Sequence, residues 1–277
     1  MDLLFWYVLA SIFAVGIVIG SFLNCVIWRS YDNESIAKGR SHCPKCRHKL
    51  AWFDLVPLIS FIFLRGKCRY CKKMISWQYP VVEFATGALF VIFARLFAME
   101  IFYGQFFAFS LVQLLAYWVI LSALVVIFVA DLRWYFIPDG ALISGFVAAL
   151  ALRGLQFAQS GYSFGQFDLQ ILINPLLSSF FCGAFFLAIF LLSRGKWMGF
   201  GDVKYALLLG MVLGFPDSLI ALFLANFFGA IIGLTLILAK MKNMKSEIPF
   251  GPFLVAGTLV ALFYSDSIIS WYLSVSY

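Results

Sequence analysis

Apolar runs of about 20 residues recur along almost the whole chain, and a helix of that length crosses a bilayer core. Polar or glycine-rich breaks mark off eight of them: residues 4–28, 81–99, 106–130, 141–157, 172–193, 203–214, 218–239 and 253–273. In hydrocarbon a backbone must satisfy its own polar groups, so such runs have to be helical. The sixth is too short to span. Composition agrees: 64% of residues are hydrophobic and 12% charged, where soluble domains carry about 25% charged. The chain reads as an all-α polytopic membrane protein with about eight transmembrane helices, one of them short. The first run has no basic segment ahead of it, exceeds the apolar length of a signal peptide and lacks a small-x-small cleavage site. It is expected to stay as the first membrane helix.

Charge sets the topology. The net charge is +7, and eleven of the 20 Lys and Arg lie within residues 29–73, opposed there only by Asp32, Glu34 and Asp54. A basic loop between membrane helices belongs on the cytoplasmic face, which argues against a nucleic-acid partner. Both termini are then outside. Arg133, Arg194, Lys196, Lys204, Lys240, Lys242 and Lys245 all fall inside, while residues 159–170 carry no Lys or Arg. Arg95 and Arg153 alone do not follow the pattern. Three parts result: a first transmembrane helix (1–28), a cytoplasmic loop domain (29–78) and a multi-helix membrane domain (79–277). No convincing internal repeat is visible.

The loop holds Cys43-Pro-Lys-Cys46, then 21 residues, then Cys68-Arg-Tyr-Cys71. Paired C-x2-C knuckles at this distance are a zinc signature, each supplying two of four tetrahedral thiolates. A disulfide or redox pair is the alternative, disfavoured in a reducing compartment. Four thiolates leave no open position for water, so the zinc would be structural. His42 and His48 read as surface residues, and Cys25 and Cys182 as small apolar fillers.

Two polar breaks stand out in the oily runs: Asp131-Leu-Arg-Trp-Tyr-Phe-Ile-Pro-Asp139 and Gly199-Phe-Gly-Asp202-Val-Lys204. An ionisable residue at membrane depth is costly and points to function. Each aspartate also has a structural reading. Asp131 could end a helix or pair with Arg133, and Asp202 could cap the short helix. Together, at one membrane edge, they suggest carboxylates that share a proton, one acting as base on a water and the other as acid. Asp202, at a helix start, is the preferred base. The short helix beginning at Gly-x-Gly-Asp suggests a water-filled notch opening to the cytoplasm. Asp139 reads as an N-cap after Pro138. Asn24, Arg29 and Glu83 form either a polar patch toward that notch or inter-helix hydrogen bonds.

Gly199-Phe-Gly-Asp202 resembles the GxGD signature of intramembrane aspartic proteases, and Asp131 through Ile137-Pro138-Asp139 resembles its partner motif in bacterial type IV prepilin peptidases. Gly20-Ser-Phe-Leu-Asn24, the four cysteines, Trp52-Phe-Asp-Leu-Val-Pro57, Leu64-Arg-Gly-Lys-Cys68, Tyr79-Pro-Val-Val-Glu83 and Pro249-Phe-Gly-Pro252 follow that family in order. Trp134 and Tyr135 depart from its commonest spelling. The resemblance implies an inner-membrane enzyme that removes the basic leader of type IV prepilins and pseudopilins at the cytoplasmic face. It also implies N-methylation of the new terminus, usually phenylalanine, from S-adenosylmethionine. Asp131 and Asp202 would be catalytic, and Cys43, Cys46, Cys68 and Cys71 would hold Zn²⁺. For S-adenosylmethionine the candidates are Gly66, Lys67, Asn24, Arg29 and Glu83. A leader peptidase without methyl transfer is the alternative. A transporter using the aspartates as ion sites would need an inverted repeat and midplane carboxylates, and the sequence offers neither.

Overall fold

The computed structural model describes residues 3–36, 38–103, 107–164, 167–241 and 248–276. Lys242 and Lys245 of the topology reading lie outside them. The described residues form α1 (Leu3–Tyr31), α2 (Ile59–Phe63), α3 (Gln78–Tyr103), α4 (Phe107–Trp134), α5 (Asp139–Phe164), α6 (Gln170–Ser193), α7 (Phe200–Leu213), α8 (Asp217–Leu238) and α9 (Gly251–Ser276). Seven are long and apolar enough to cross a membrane. The 14 residues of α7 span only about 21 Å at 1.5 Å per residue. The expected all-helical membrane architecture, with one short helix, is therefore present. Several helices outrun their apolar stretches: α5 continues through Gln156 and Gln159 to Phe164. Hydropathy marks only the part of a helix that lipid must cover, whereas backbone bonding continues into polar sequence. The short α2 was not foreseen.

The chain divides into two compact units, Met1–Val126 and Ile127–Tyr277. In the first, α1 and α3 meet backbone to backbone. A Cβ on Gly16 would lie 2.6 Å from Gly87 Cα, and one on Gly20 would lie 2.7 Å from Glu83 Cα. Small residues one turn apart permit this close approach, which drives helix pairing in lipid where the hydrophobic effect cannot. Phe90 stacks on Trp118 at 4.7 Å and ties α3 to the first part of α4.

The second unit is organised around α7. Ten of its 14 residues are buried, an unusual share for a helix in a membrane. Ser179 Oγ donates to the Leu207 carbonyl at 2.8 Å, and the Ser179 backbone fills the space beside Gly210. These contacts fasten α6 to α7. Tyr205, fully buried, shares a 2.8 Å hydrogen bond with Thr258 of α9. The Asn174 side chain bonds both backbone groups of Phe215 and holds the turn into α8. Protein thus covers most of α7, which reaches a surface at Phe200, beside its N-cap Gly199, and at Leu207.

Arg153, one of the two exceptions to the charge pattern, finds its reason here. Its guanidinium donates to the Met211 and Val212 carbonyls, two of the orphan acceptors at the C-terminus of α7. A cation at that end also opposes the helix dipole. Arg153→Leu is expected to destabilise the second unit by about 1–3 kcal/mol, the cost of leaving buried acceptors unpaired. A lower thermal midpoint in detergent, compared with an exposed Arg→Leu control, is the measurement.

Candidate functional site

Asp131 lies in the last turn of α4, which ends where Tyr135 takes a φ of 56°. Asp202 is the third residue of α7, whose N-cap is Gly199. Asp202 is therefore inside the first turn and not the cap itself. The two motifs touch: the Ile137 side chain lies 3.2 Å from where a Cβ on Gly201 would stand. Glycine at 201 lets the turn after α4 close onto the start of α7. Asp131 and Asp202 are 6% and 8% exposed. An ionisable side chain sealed at membrane depth is costly, and two of them at adjoining helix ends mark a candidate site. The pairing of Asp131 with Arg133 is not what holds it. Its Oδ2 instead accepts the Gly251 backbone N–H at 2.9 Å, 120 residues further along the chain, where α9 starts.

Asp139 is the first residue of α5 and not its cap. Its carboxylate meets Lys204 Nζ at 2.6 Å, with both side chains well exposed. The Pro138 carbonyl receives the first helical amides, from Ala141 and Leu142. The exposed pair links the starts of α5 and α7 and contributes little energy.

In the first unit the four cysteine sulfurs all lie within 4.8 Å of one another, and none is disulfide-bonded. Zinc with four thiolates at about 2.3 Å sets sulfurs about 3.8 Å apart, so the cluster fits a tetrahedral metal. The two knuckles are built alike. Cys43 N–H bonds the His48 carbonyl at 3.0 Å, and Cys68 N–H bonds Lys73 at 2.9 Å. Arg47 and Lys72 both turn through positive φ, 55° and 58°. The bridges His42 to Lys49 and Lys67 to Met74 close them. Residues 42–49 and 67–74 are thus a local structural repeat that the sequence reading missed, because only the cysteines coincide. Burial opposes the Cys43 thiolate, yet the Cys46 and Lys45 amides and the Cys46 and Cys68 thiols bring it down to about 7. The His48 amide favours the Cys46 thiolate, but desolvation and the neighbouring Cys43 and Cys71 push it up to about 11. Four packed thiols resist joint ionisation, and a cation among them removes that conflict.

Asp54, from the Trp52–Pro57 stretch, braces the knuckles. It accepts from Arg69 Nε at 2.8 Å and from Tyr70 OH at 3.1 Å. Arg69 also lies over the Phe53 ring at 4.8 Å. His48 packs its ring on Tyr70 at 3.6 Å.

The sequence was compared with known families and proteins. Residues 14–97 match the bacterial peptidase A24 N-terminal domain, and residues 118–234 match the type IV leader peptidase family. A protein of Aeromonas salmonicida named prepilin leader peptidase/N-methyltransferase is 32% identical over 295 residues, 97% of this chain and 95% of its own. The chain belongs to the type IV leader peptidase family. A Bacillus subtilis protein of the same name is 30% identical, covering 97% of this chain and 99% of its own. No solved structure matches significantly.

In this family member the remaining candidates separate by what they bind. Asn24 Nδ2 donates to the Tyr79 carbonyl at 3.1 Å, and Gln78 donates back to its Oδ1. Glu83 Oε2 accepts the Leu58 N–H at 2.8 Å, which holds Leu58 at a φ of 57° and starts α2. Arg29 threads its guanidinium among the carbonyls of Ser35, Ile36, Lys38 and Gly39. All three join the first unit together. Gly66 is buried in a turn of φ 67°, and Lys67 is exposed.

Gly251 is the site residue that sequence reasoning missed, although Pro249-Phe-Gly-Pro252 had been noticed. A Cβ there would stand 2.6 Å from Asp131 Oδ2 and 3.0 Å from its Cγ. Gly251→Ala must therefore push the carboxylate aside. If Asp131 is catalytic, the variant should cleave about 10²-fold more slowly, the cost of roughly 1 Å of misplacement, with an unchanged helical spectrum. Wild-type rates from Gly251→Ala would show that the bond does not position Asp131.

Proposed function

We propose that this protein removes the leader peptide of type IV prepilins and pseudopilins and N-methylates the new terminus, usually phenylalanine, with S-adenosylmethionine as methyl donor. The observation that carries the peptidase reading is the burial of both Asp131 and Asp202, on α4 and α7, where Ile137 of the first motif packs on Gly201 of the second. Membership of the leader peptidase family supports it. Asp202, in the first turn of α7, is the base that activates water. Asp131 keeps Oδ2 on the Gly251 amide and presents its other oxygen, protonated, to the scissile carbonyl. Asp202 then gives the proton taken from water to the leaving amine, and Asp131 recovers its own from the collapsing tetrahedral intermediate, which resets the pair.

Methyl transfer comes to this chain from its relatives' names, and S-adenosylmethionine supplies the methyl group. Asn24, Arg29 and Glu83 commit their polar groups to the chain itself, and Gly66 bonds Phe61 and Ile75 through its backbone, which leaves the exposed Lys67 side chain as the uncommitted candidate. Cys43, Cys46, Cys68 and Cys71 hold structural Zn²⁺ between the knuckles. The basic loop lies on the cytoplasmic face of the bacterial inner membrane, the termini outside. The three parts 1–28, 29–78 and 79–277 are first helix, zinc domain and catalytic membrane domain.

The test uses purified protein, a synthetic prepilin spanning leader and early apolar helix, and S-adenosylmethionine. Mass spectrometry should find the leader removed and one methyl on the new amine. Cleavage without methylation would reduce the function to a peptidase. Failure to cleave any prepilin would overturn the reading.

A further inference from the structure

In the first unit α2 and the turn after it lean on the start of α3 and enclose a cleft of about 660 Å³. Phe61, Ile62, Trp77, Val81 and Phe84 line it, and Arg65 is its one charged wall residue. Phe61 and Trp77 set their rings 5.1 Å apart. The wall is apolar yet open: Ile62 is 71% and Trp77 69% exposed. Val81 and Phe84 belong to a segment apolar enough to cross a membrane, so the cleft is continuous with a surface that hydrocarbon covers.

The lining selects the occupant's chemistry. S-adenosylmethionine would bring an adenine, ribose hydroxyls, an ammonium and a carboxylate. A pocket for such a molecule needs several converging polar groups, and a single guanidinium is not enough. A long flexible apolar chain fits such walls without further partners. Arg65 then suits an anionic headgroup, since a guanidinium meets phosphate with two parallel hydrogen bonds. No carboxylate among the described residues pairs with it. The exposed Lys67, Lys72 and Lys73 follow in the same module and strengthen the attraction to anionic lipid.

We propose that this cleft binds one anionic phospholipid, with an acyl chain between α2 and α3 and its phosphate on Arg65. The lipid fills the space under α2 and holds the cysteine module to the bilayer surface.

Tryptophan quenching tests this. The full-length protein is reconstituted in vesicles of one fixed phosphatidylglycerol and phosphatidylcholine mixture, with chain bromination on one lipid or the other. Comparison with Trp77→Phe isolates the Trp77 emission. Brominated phosphatidylglycerol should quench Trp77 more strongly, reflecting about fivefold local enrichment from one basic contact. Arg65→Gln should abolish the preference and Arg65→Lys should keep most of it, both with wild-type helical spectra. Equal quenching by the two lipids, no quenching of Trp77, or relief of quenching by S-adenosylmethionine would each overturn the proposal.

Discussion

Asp131→Asn and Asp202→Asn should each lower leader cleavage by about 10²–10⁴-fold, the usual worth of a positioned acid or base. Asparagine keeps the size of each side chain, and at 131 its carbonyl oxygen can still accept the Gly251 N–H seen at 2.9 Å. The variants should therefore fold and insert as the wild type does. They should also retain their zinc, because the four cysteines lie in the other compact unit. The double variant should be no worse than the more damaging single one, since residues that share a proton act as a unit and their losses do not add. Cleavage near the wild-type rate in either single variant would refute the dyad. A Lys204→Ala control should stay close to wild type, because its pair with Asp139 is exposed.

Cys68→Ser is expected to release the metal and open the loop domain. Cys43 and Cys68 are the buried members of the cluster that could hold the metal, 7% and 5% exposed, and each anchors one knuckle through its own backbone turn. The module has no apolar core of comparable scale. Ile62, Phe63, Trp52 and Trp77 all stand more than half exposed, so the proposed zinc would carry most of the module's stability. Structural zinc contributes about 10–16 kcal/mol in small finger peptides, far more than the Asp54–Arg69 pair can supply. Metal analysis should fall from one zinc per chain toward none. Trypsin should then cut within residues 32–77, which are rich in Lys and Arg. The glycine seam of α1 and α3 uses no cysteine and should survive. Unchanged zinc content in Cys68→Ser would count against the four-thiolate centre.

Much of this was legible in one dimension because the informative residues are costly where they stand. An aspartate at the end of a long apolar run is costly, so Asp131 and Asp202 stand out as candidates although each alone also admits a structural reading. C-x2-C twice in a basic loop does the same for the cysteines. Helix number follows from apolar length, because lipid leaves the backbone no other structure. The family motifs were legible by resemblance in the same way, Pro249-Phe-Gly-Pro252 included, but without the reason for any glycine in them.

What tertiary structure decided is mostly backbone, and backbone groups carry no residue signature. The Gly251 amide that holds Asp131, and the Met211 and Val212 carbonyls that recruit Arg153, look the same in sequence as any other peptide unit. Side-chain ambiguity was also resolved only in space. Asn24, Arg29 and Glu83 could face a site or bind neighbours, and their bonds to Tyr79, Ser35 and Leu58 draw them into the first unit. Asp139 matched a cap in sequence but found a lysine 65 positions away. The sequence alone determined a helical membrane chain with two marked carboxylates and a four-cysteine loop, because burial cost and ligand chemistry are properties of residue type. Packing α7 into its unit buried both carboxylates, because only a folded chain can seal two acids from water and lay a glycine amide against one of them.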